Sequence, residues 1–475
     1  MEWVTIANVG LKSIYFVLIL ATVIVVLLEN RNPVKAIAWI LALMFLPIVG
    51  LVFYFFFGQS TRRRRLISKK GYTRLLRKPL AEYEAQEEFN LQDRYQRLVT
   101  FFQETNQSFL FEGNAVEIFT DGYGKVHALI RELYKAKRYI HLEYYIIAND
   151  AVGRLIRDVL IDKAREGIEV RVIYDDVGCW RVPACFFEPM KQAGIQVHAF
   201  LEVRFPLLTS RVNYRNHHKI VIIDGQVGFI GGMNLAERYL KGTAFGIWRD
   251  THLLVRGKAV HGLQTTFLLD MHATDHPPIP VAKRYFPHIA NQGGALAQVV
   301  TGSPVGKWKD IMQGLTLAIS SAKRYFYIQT PYFLPNDIIL SALQTAALAG
   351  VDIRLMVPEH TDNRFTCWGT YSYVKDMLTA GAKVFFYQKG FLHSKLMVSD
   401  DAFGTVGSTN VDFRSFEHNF EANLFMYDKD VCEQLHHIFL RDQQDCRQIK
   451  LRTWQKRPLY QKVMESLMRL IAPLL

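Results

Sequence analysis

The chain has 475 residues, half of them hydrophobic and 13% aromatic, with a formal net charge of +13. That length is more than one core ordinarily organises and allows two domains plus additional segments. The positive excess points to an anionic partner, while five scattered cysteines without a CxxC exclude a zinc ribbon or a disulfide framework and fit a reduced cytosolic setting.

Two apolar stretches open the chain. Residues 11–28 are apolar apart from Lys12, Ser13, Tyr15 and Thr22, and residues 36–57 carry no charge. Each approaches the roughly 20 apolar residues of a membrane-spanning helix. The short link Glu29–Lys35 makes them a hairpin, and Pro47 and Gly50 are placed to kink the second span, as membrane helices tolerate. A cleaved signal peptide fits less well, because no basic n-region or small-residue cleavage site precedes the second span. Arg62–Lys78 then holds nine basic residues and no acidic one. Positive residues stay inside, so residues 1–60 are expected as a multi-pass transmembrane hairpin with the bulk of the chain on the cytoplasmic side. The same stretch is suited to anionic headgroups. Residues 61–108 read as a basic juxtamembrane segment and a linker with a helix or two.

The remainder says everything twice. "AKRYIHLEYYI" from Ala136 is answered by "AKRYFYIQTPYF" from Ala322, and "GIEVRVIYD" from Gly167 by "GVDIRLMVP" from Gly350. "AGIQVHAF" from Ala193 matches "AGAKVFFY" from Ala380, and "HHKIVIIDGQVGFIGGMN" from His217 matches "HSKLMVSDDAFGTVGSTN" from His393. The four pieces keep their order at a spacing of about 180 residues, the mark of a duplicated domain. Amphipathic helices such as Arg154–Arg165 and Asp337–Leu348 precede short Val/Ile-rich strands, with Gly167 and Gly350 at the helix-to-strand switch. Alternating helix and strand predicts an α/β sandwich with a largely buried mixed sheet in each half, over residues 109–292 and 293–475. A polar strand-edge motif kept in both halves predicts a shared site on a pseudo-two-fold axis.

The repeat sets that motif's register. His217, Lys219 and Asp224 match His393, Lys395 and Asp400, and six residues later Gly231–Gly232–x–Asn234 matches Gly407–Ser408–x–Asn410. Side chains alternate along a strand, so His217 and Lys219 share a face and His218 points away. Lysine beside imidazole suits a phosphate: lysine neutralises its oxygens, and imidazole attacks or protonates. Asn234 and Asn410 have amide hydrogens to offer the same oxygens. No cluster of metal-ligand spacing competes, and the arrangement needs no metal and no cofactor. His218 stands where the second copy has Ser394, so it is expected to be replaceable.

The doubled HxKx4Dx6G(G/S)xN pattern resembles the phospholipase D superfamily. "FPLLTSRVNYRNHHK" (Phe205–Lys219), "WRDTH" (Trp248–His252), "TPYFLP" (Thr330–Pro335) and "FRSFEHNFEAN" (Phe413–Asn423), with the N-terminal hairpin, are similar to the bacterial cardiolipin synthases. That resemblance implies an enzyme of the bacterial cell membrane that transfers a phosphatidyl group between two phosphatidylglycerols through a phosphohistidine, releasing glycerol and yielding cardiolipin. By the same resemblance His217 is the nucleophile and His393 the acid/base, with Asp250 orienting His217 and Glu421 orienting His393. Lys219, Lys395, Asn234 and Asn410 stabilise the phosphorane oxygens. Asp224 and Asp400 complete the motif and support its hydrogen bonds.

Water or serine as acceptor, in a phospholipase D or a phosphatidylserine synthase, is the nearest alternative. A silent membrane scaffold or nucleic-acid binder fits the charge but not two intact motifs. Trp248, Tyr332 and Tyr145 are as readily core residues as site residues, Arg215 and Arg414 as readily structural as lipid-binding, and His436 and His437 non-catalytic. The tail from Tyr460 to Leu475 has an apolar face at helical spacing, suited either to a membrane surface or to the core of the second half.

Overall fold

The structure is a computed structural model of the chain and describes residues 2–29, 33–54, 91–203, 213–244, 246–274 and 283–472. The basic stretch Arg62–Lys78 and the first part of the Phe205–Lys219 stretch lie outside them. The chain divides into two compact units, the smaller being Met1–Arg65 with Val203–Tyr214.

In the smaller unit the first apolar stretch is the helix Glu2–Glu29. The second is two helices, Pro33–Phe45 and Pro47–Phe53, interrupted at Leu46. Leu46 sits at φ −131° and ψ 64°, outside helical space, and Pro47 has no N–H to continue the ladder. A small core of Val26, Ala36, Leu43 and Tyr54 ties the helices together, while Phe16, Leu28, Phe45 and Ile48 point outward and are exposed. Among the described residues no helix is long and apolar enough to cross a membrane, and the second stretch is broken at Leu46.

The larger unit carries both copies. The first contributes β1 (Leu110–Phe119), β2 (Tyr139–Tyr144), β3 (Glu169–Asp175), β4 (Gln196–Phe200), β5 (Arg215–Asn216), β6 (Lys219–Ile223), β7 (Val227–Gly231), β8 (Ile247–Arg249) and β9 (His252–Arg256). The second contributes β10 (Ala295–Gly302), β11 (Tyr325–Gln329), β12 (Phe333–Leu334), β13 (Asp352–Pro358), β14 (Lys383–Tyr387), β15 (Gly390–Leu392), β16 (Leu396–Ser399), β17 (Phe403–Gly407), β18 (Val411–Asp412), β19 (Asn419–Met426) and β20 (Cys446–Ile449). One sheet runs β20-β14-β13-β11-β16-β17-β19-β10-β1-β9-β7-β6-β2-β3-β4. Read outward from the antiparallel β1–β10 pair, both copies present equivalent strands in the same order, β20 adding an edge to the second. Along that order three strands of each copy are mutually parallel and the other neighbours antiparallel, the mixed sheet the alternation predicts.

The expected domain border near residue 293 thus falls between two paired strands. The linker reading is corrected for one segment: the helix Asp93–Asn106 is part of the second half's core. It buries Tyr95, Leu98, Val99 and Phe102 beside Val300, Leu315, Phe403 and Phe425, stacks Tyr95 on Phe403 at 5.9 Å, and pairs Arg94 with Asp400.

The motif aspartates are buckles for the strand that follows "AKRY" in each copy, β2 in the first and β11 in the second. Both sit in left-handed conformation, at φ 54° for Asp224 and 55° for Asp400. The Asp224 carboxylate accepts the backbone N–H groups of Lys137, Arg138 and Tyr139 at 2.8–2.9 Å. Asp400 accepts those of Lys323, Arg324 and Tyr325 at 2.8–3.0 Å. That is why "AKRY" recurs: its backbone enters the sheet under the aspartate. The hydrogen-bond support expected of Asp224 and Asp400 is thus directed at the fold, to which their acceptor capacity is committed. Asp224→Ala and Asp400→Ala should each lower stability by about 2–4 kcal/mol, the cost of orphaning charge-assisted backbone bonds, with activity per folded molecule retained. Denaturant unfolding alongside specific activity checks this, and a folded variant without activity would return the aspartate to the chemistry.

Candidate active site

Both histidines lie where a short strand of one copy pairs with a strand of the other. β5 runs parallel to β19, and the His217 N–H donates to the Phe420 carbonyl at 2.9 Å. β15 runs parallel to β8, and the His393 N–H donates to the Arg249 carbonyl at 2.7 Å. The exchange brings each imidazole to the other copy's acid. His217 Nδ1 lies 3.0 and 3.1 Å from the Glu421 carboxylate oxygens, and His393 Nδ1 lies 2.6 Å from Asp250. The expected assignment, Asp250 to His217 and Glu421 to His393, is therefore corrected: the pairs are crossed. An acid in Nδ1 contact holds the proton there and leaves Nε2 to react.

Each acid is supported in turn. Ser408 Oγ donates to Glu421 at 2.5 Å and the Asn419 amide at 3.0 Å. Asp250 accepts the Thr251 N–H at 2.7 Å. The two copies differ here for a steric reason. A Cβ at Gly232 would come within 2.1 Å of the Asp250 carboxylate, whereas Ser408 in the same repeat position fits and donates to the longer Glu421.

The lysines lie beside the histidines, as the strand period predicts. Lys219 Nζ donates to the His217 carbonyl at 2.6 Å. Lys395 Nζ lies 2.8 and 3.2 Å from the His393 ring nitrogens. Lys219 and Lys395 both act electrostatically on His217, and both on His393, so the two motifs form one site. Acids and lysines are fully buried, and only the imidazoles keep about a tenth of their side-chain surface open. Tyr145 stands edge-on to His217 at 4.9 Å and Trp248 lies 5.1 Å from His393, so both join the site. Tyr332 instead bonds Asp362 at 2.7 Å.

Burial dominates the titration. It pushes His217 down to about 4 against the pull of Glu421, and His393 down to about 3 with help from Lys395. Burial lowers Lys395 to about 8 and Lys219 well below the ordinary lysine range. Burial works to raise Asp250 and Glu421, but Lys395 and His393 around the first, and His217 and Lys219 around the second, hold both carboxyls below their ordinary range. The site therefore holds two neutral imidazoles between carboxylates and lysines, a setting suited to an anion.

Not every expected residue is aimed at it. The Asn234 carbonyl oxygen accepts the Ile146 N–H at 3.2 Å and its amide donates to Tyr239 at 3.1 Å. Tyr239 in turn faces His393 at 6.2 Å, a residue whose role nothing in the repeat signals. Asn410 is buried, and its amide oxygen has no hydrogen-bond partner among the described residues. Arg215 is structural, fully buried and 3.2 Å from Asp175. His436 bonds Asp401 at 2.8 Å, outside the site.

His218 is the largest departure from expectation. It points away from the site, as predicted, but into a buried acidic pair: Nδ1 lies 2.8 Å from Asp270 and 3.5 Å from Glu143. Asn216 closes the group by donating to Glu143. Glu143, His218 and Asp270 are the one set among the described residues with metal-ligand spacing; a proton shared along hydrogen-bond distances already balances their charge. Burial opposes protonation of His218, but Asp270 and Glu143 raise it to about 10, while burial and Asp270 raise Glu143 to about 8. The second copy has the same pocket with other parts. Asp442 takes the place of Asp270, Gln329 that of Glu143, and Arg249 from the first copy supplies the cation at 2.6 Å. His218 thus supplies the cation in the first copy, where among the described residues no arginine pairs with Asp270.

A raised histidine stabilises fully below its unfolded value of 6.5 and loses that contribution as pH climbs toward 10. Glu143, raised above its ordinary 4.5, acts in the same sense up to about 8. His218→Gln should cost about 3–5 kcal/mol at pH 7, the cost of a buried carboxylate left without its cation, and should flatten the decline of the melting temperature between pH 7 and 10. An unchanged melting temperature would restore the replaceable reading.

A family model described as "Cardiolipin synthase, PLD-like domain" matches residues 129–244 and 315–443, and one described as "Phospholipase_D-nuclease N-terminal" matches residues 17–59. The chain is 39% identical to the major cardiolipin synthase of Bacillus subtilis (strain 168), covering 98% of this chain and 99% of that protein. It is 40% identical to cardiolipin synthase 2 of Bacillus anthracis, covering 95% and 89% respectively. Among solved structures, the phosphatidylserine synthase of Haemophilus influenzae superposes with a TM-score of 0.61 over 80% of this chain and 98% of that one, at 14% identity, a likeness of fold.

Proposed function

Because the chain belongs to the cardiolipin synthase family of the phospholipase D superfamily, we propose that it makes cardiolipin from two molecules of phosphatidylglycerol, with His217 as nucleophile and His393 as acid and base. The observation that carries the proposal is the pair of imidazoles, each held at Nδ1 by a buried carboxylate and each keeping about a tenth of its side-chain surface open.

His217 Nε2 attacks the phosphorus of the first phosphatidylglycerol. The bond from phosphorus to the headgroup glycerol oxygen breaks; His393, neutral in the free protein and protonated from solvent as the phosphate anion enters, gives that oxygen a proton, and glycerol leaves. The phosphatidyl group rests on His217, and Glu421 balances the imidazolium. The headgroup hydroxyl of a second phosphatidylglycerol then passes its proton to His393 and attacks the phosphorus. The phosphorus–nitrogen bond breaks, and cardiolipin is released. The charges of Lys219 and Lys395 meet the oxygens that gain negative charge, and Asn234 and Asn410 are proposed to close the same cradle after their amides reorient. Giving the attack to His217 is supported by Lys395, which crowds the nitrogens of His393, while Lys219 bonds the backbone beside His217.

The chain is proposed to reside in the bacterial cell membrane through its N-terminal segment, with the site on the cytoplasmic side. The outward Phe16, Leu28, Phe45 and Ile48 and the run of basic residues from Arg62 support this.

Thin-layer analysis of products from phosphatidylglycerol alone should give cardiolipin and glycerol. Phosphatidic acid as the sole lipid product would assign water as the acceptor. With radiolabelled phosphatidylglycerol, wild type and His393→Ala should trap label on protein, and His217→Ala should not. The crossed acids extend the test. Glu421→Gln should suppress labelling, and Asp250→Asn should slow turnover by about 10²–10⁴-fold, as removal of an orienting acid does elsewhere, while labelling persists. The reverse pattern would exchange the two roles.

A further inference from the structure

The helix Leu459–Ile471 is turned inside out relative to an ordinary surface helix. Its side toward the protein is built from Glu465, Met468 and Ala472, all buried, and from ion pairs. Arg457 pairs with Glu465 there, and Arg469 reaches Asp376 at 2.7 Å while lying over the Tyr373 ring. The opposite side is apolar and open: Leu459, Val463, Leu467 and Leu470 follow one another down one stripe and are 47–78% exposed, with Tyr460 and Ile471 at its edge. A helix normally spends such a stripe on the core, but here the core contact is made by the other face. Packing against the second half's own core is thereby excluded as its role.

The surroundings say what fits. From Lys450 to Ile471 the chain has six basic residues and one acidic, Glu465, which Arg457 occupies. Lys450, Arg452, Lys456 and Lys462 are exposed and, among the described residues, carry no ion pair. An exposed apolar stripe bordered by unpaired lysine and arginine is the signature of a helix lying in the plane of an acidic lipid surface. A protein partner with an apolar groove would match the stripe and leave the cations unmatched.

We propose that the Leu459–Ile471 helix docks on an anionic bilayer, with Val463, Leu467 and Leu470 entering the boundary between headgroups and acyl chains and the flanking cations on acidic headgroups. The inference stands on this helix's geometry; the activity proposed above bears only on the choice of phosphatidylglycerol as the acidic lipid.

The full chain, carrying Cys185→Ser to remove its exposed thiol and Leu467→Cys with a fluorophore, is reconstituted at one copy per lipid nanodisc. Lipids spin-labelled in their acyl chains should quench the fluorophore at least about two-fold in discs containing phosphatidylglycerol, the depth expected of an interfacial helix. Lys456→Gln with Lys462→Gln should weaken that quenching, and discs of phosphatidylcholine alone should show less of it. An unquenched label in phosphatidylglycerol discs overturns the proposal. Equal quenching in both lipids overturns recognition of acidic headgroups, and protection seen only with two copies per disc assigns the stripe to a second chain. Flotation of the protein with the discs reports membrane residence separately, and the thin-layer assay reports the activity.

Discussion

Each imidazole of the site takes its carboxylate from the other copy of the repeat, and the architecture around it serves that exchange. A histidine at a strand edge needs a buried acid to hold its tautomer, and an acid can stay charged in the interior only beside a cation. Glu421 holds His217 and has Lys219 for its cation, and Asp250 holds His393 and has Lys395. Neither half has the full set alone. The parallel pairings of β5 with β19 and β15 with β8 are the backbone expression of the same dependence.

Behind the site, the duplicated halves have solved one electrostatic problem twice. Asp270 and Asp442 occupy corresponding helices and both need a buried positive partner. In the second copy it is Arg249, which crosses from the first, and in the first it is His218, adjacent in sequence to the histidine of the site. The guanidinium stays charged at any pH the protein meets, whereas the imidazole keeps its proton only through the carboxylates around it. A near-symmetric fold thus gives its two histidines inequivalent surroundings.

Much of this was legible in the residues. The repeat located the motifs, the strand period put His217 with Lys219 and turned His218 away, and alternating helix and strand predicted the mixed sheet. What escaped was non-local. Glu421 stands 204 positions from His217, and Asp250 stands 143 from His393. Proximity along the chain favours pairing each histidine with the acid that follows its own motif, and strand exchange reverses it. The partners of His218 come from β2 and from the helix Val260–Ala273, so a repeat alignment that shows Ser394 opposite says nothing of the buried charge. The motif aspartates were legible as members of a pattern but not as buckles, because their partners are backbone amides, which have no letter in a sequence.

The crossing also has a consequence in time. Synthesis delivers His217 with its lysine well before β19, so the emerging first half carries a histidine without its carboxylate. Strands joined across that separation close late, after the loops between them have been ordered. A first half that has not yet met the second therefore has no carboxylate to hold His217, and the site is completed only when the second half folds onto it.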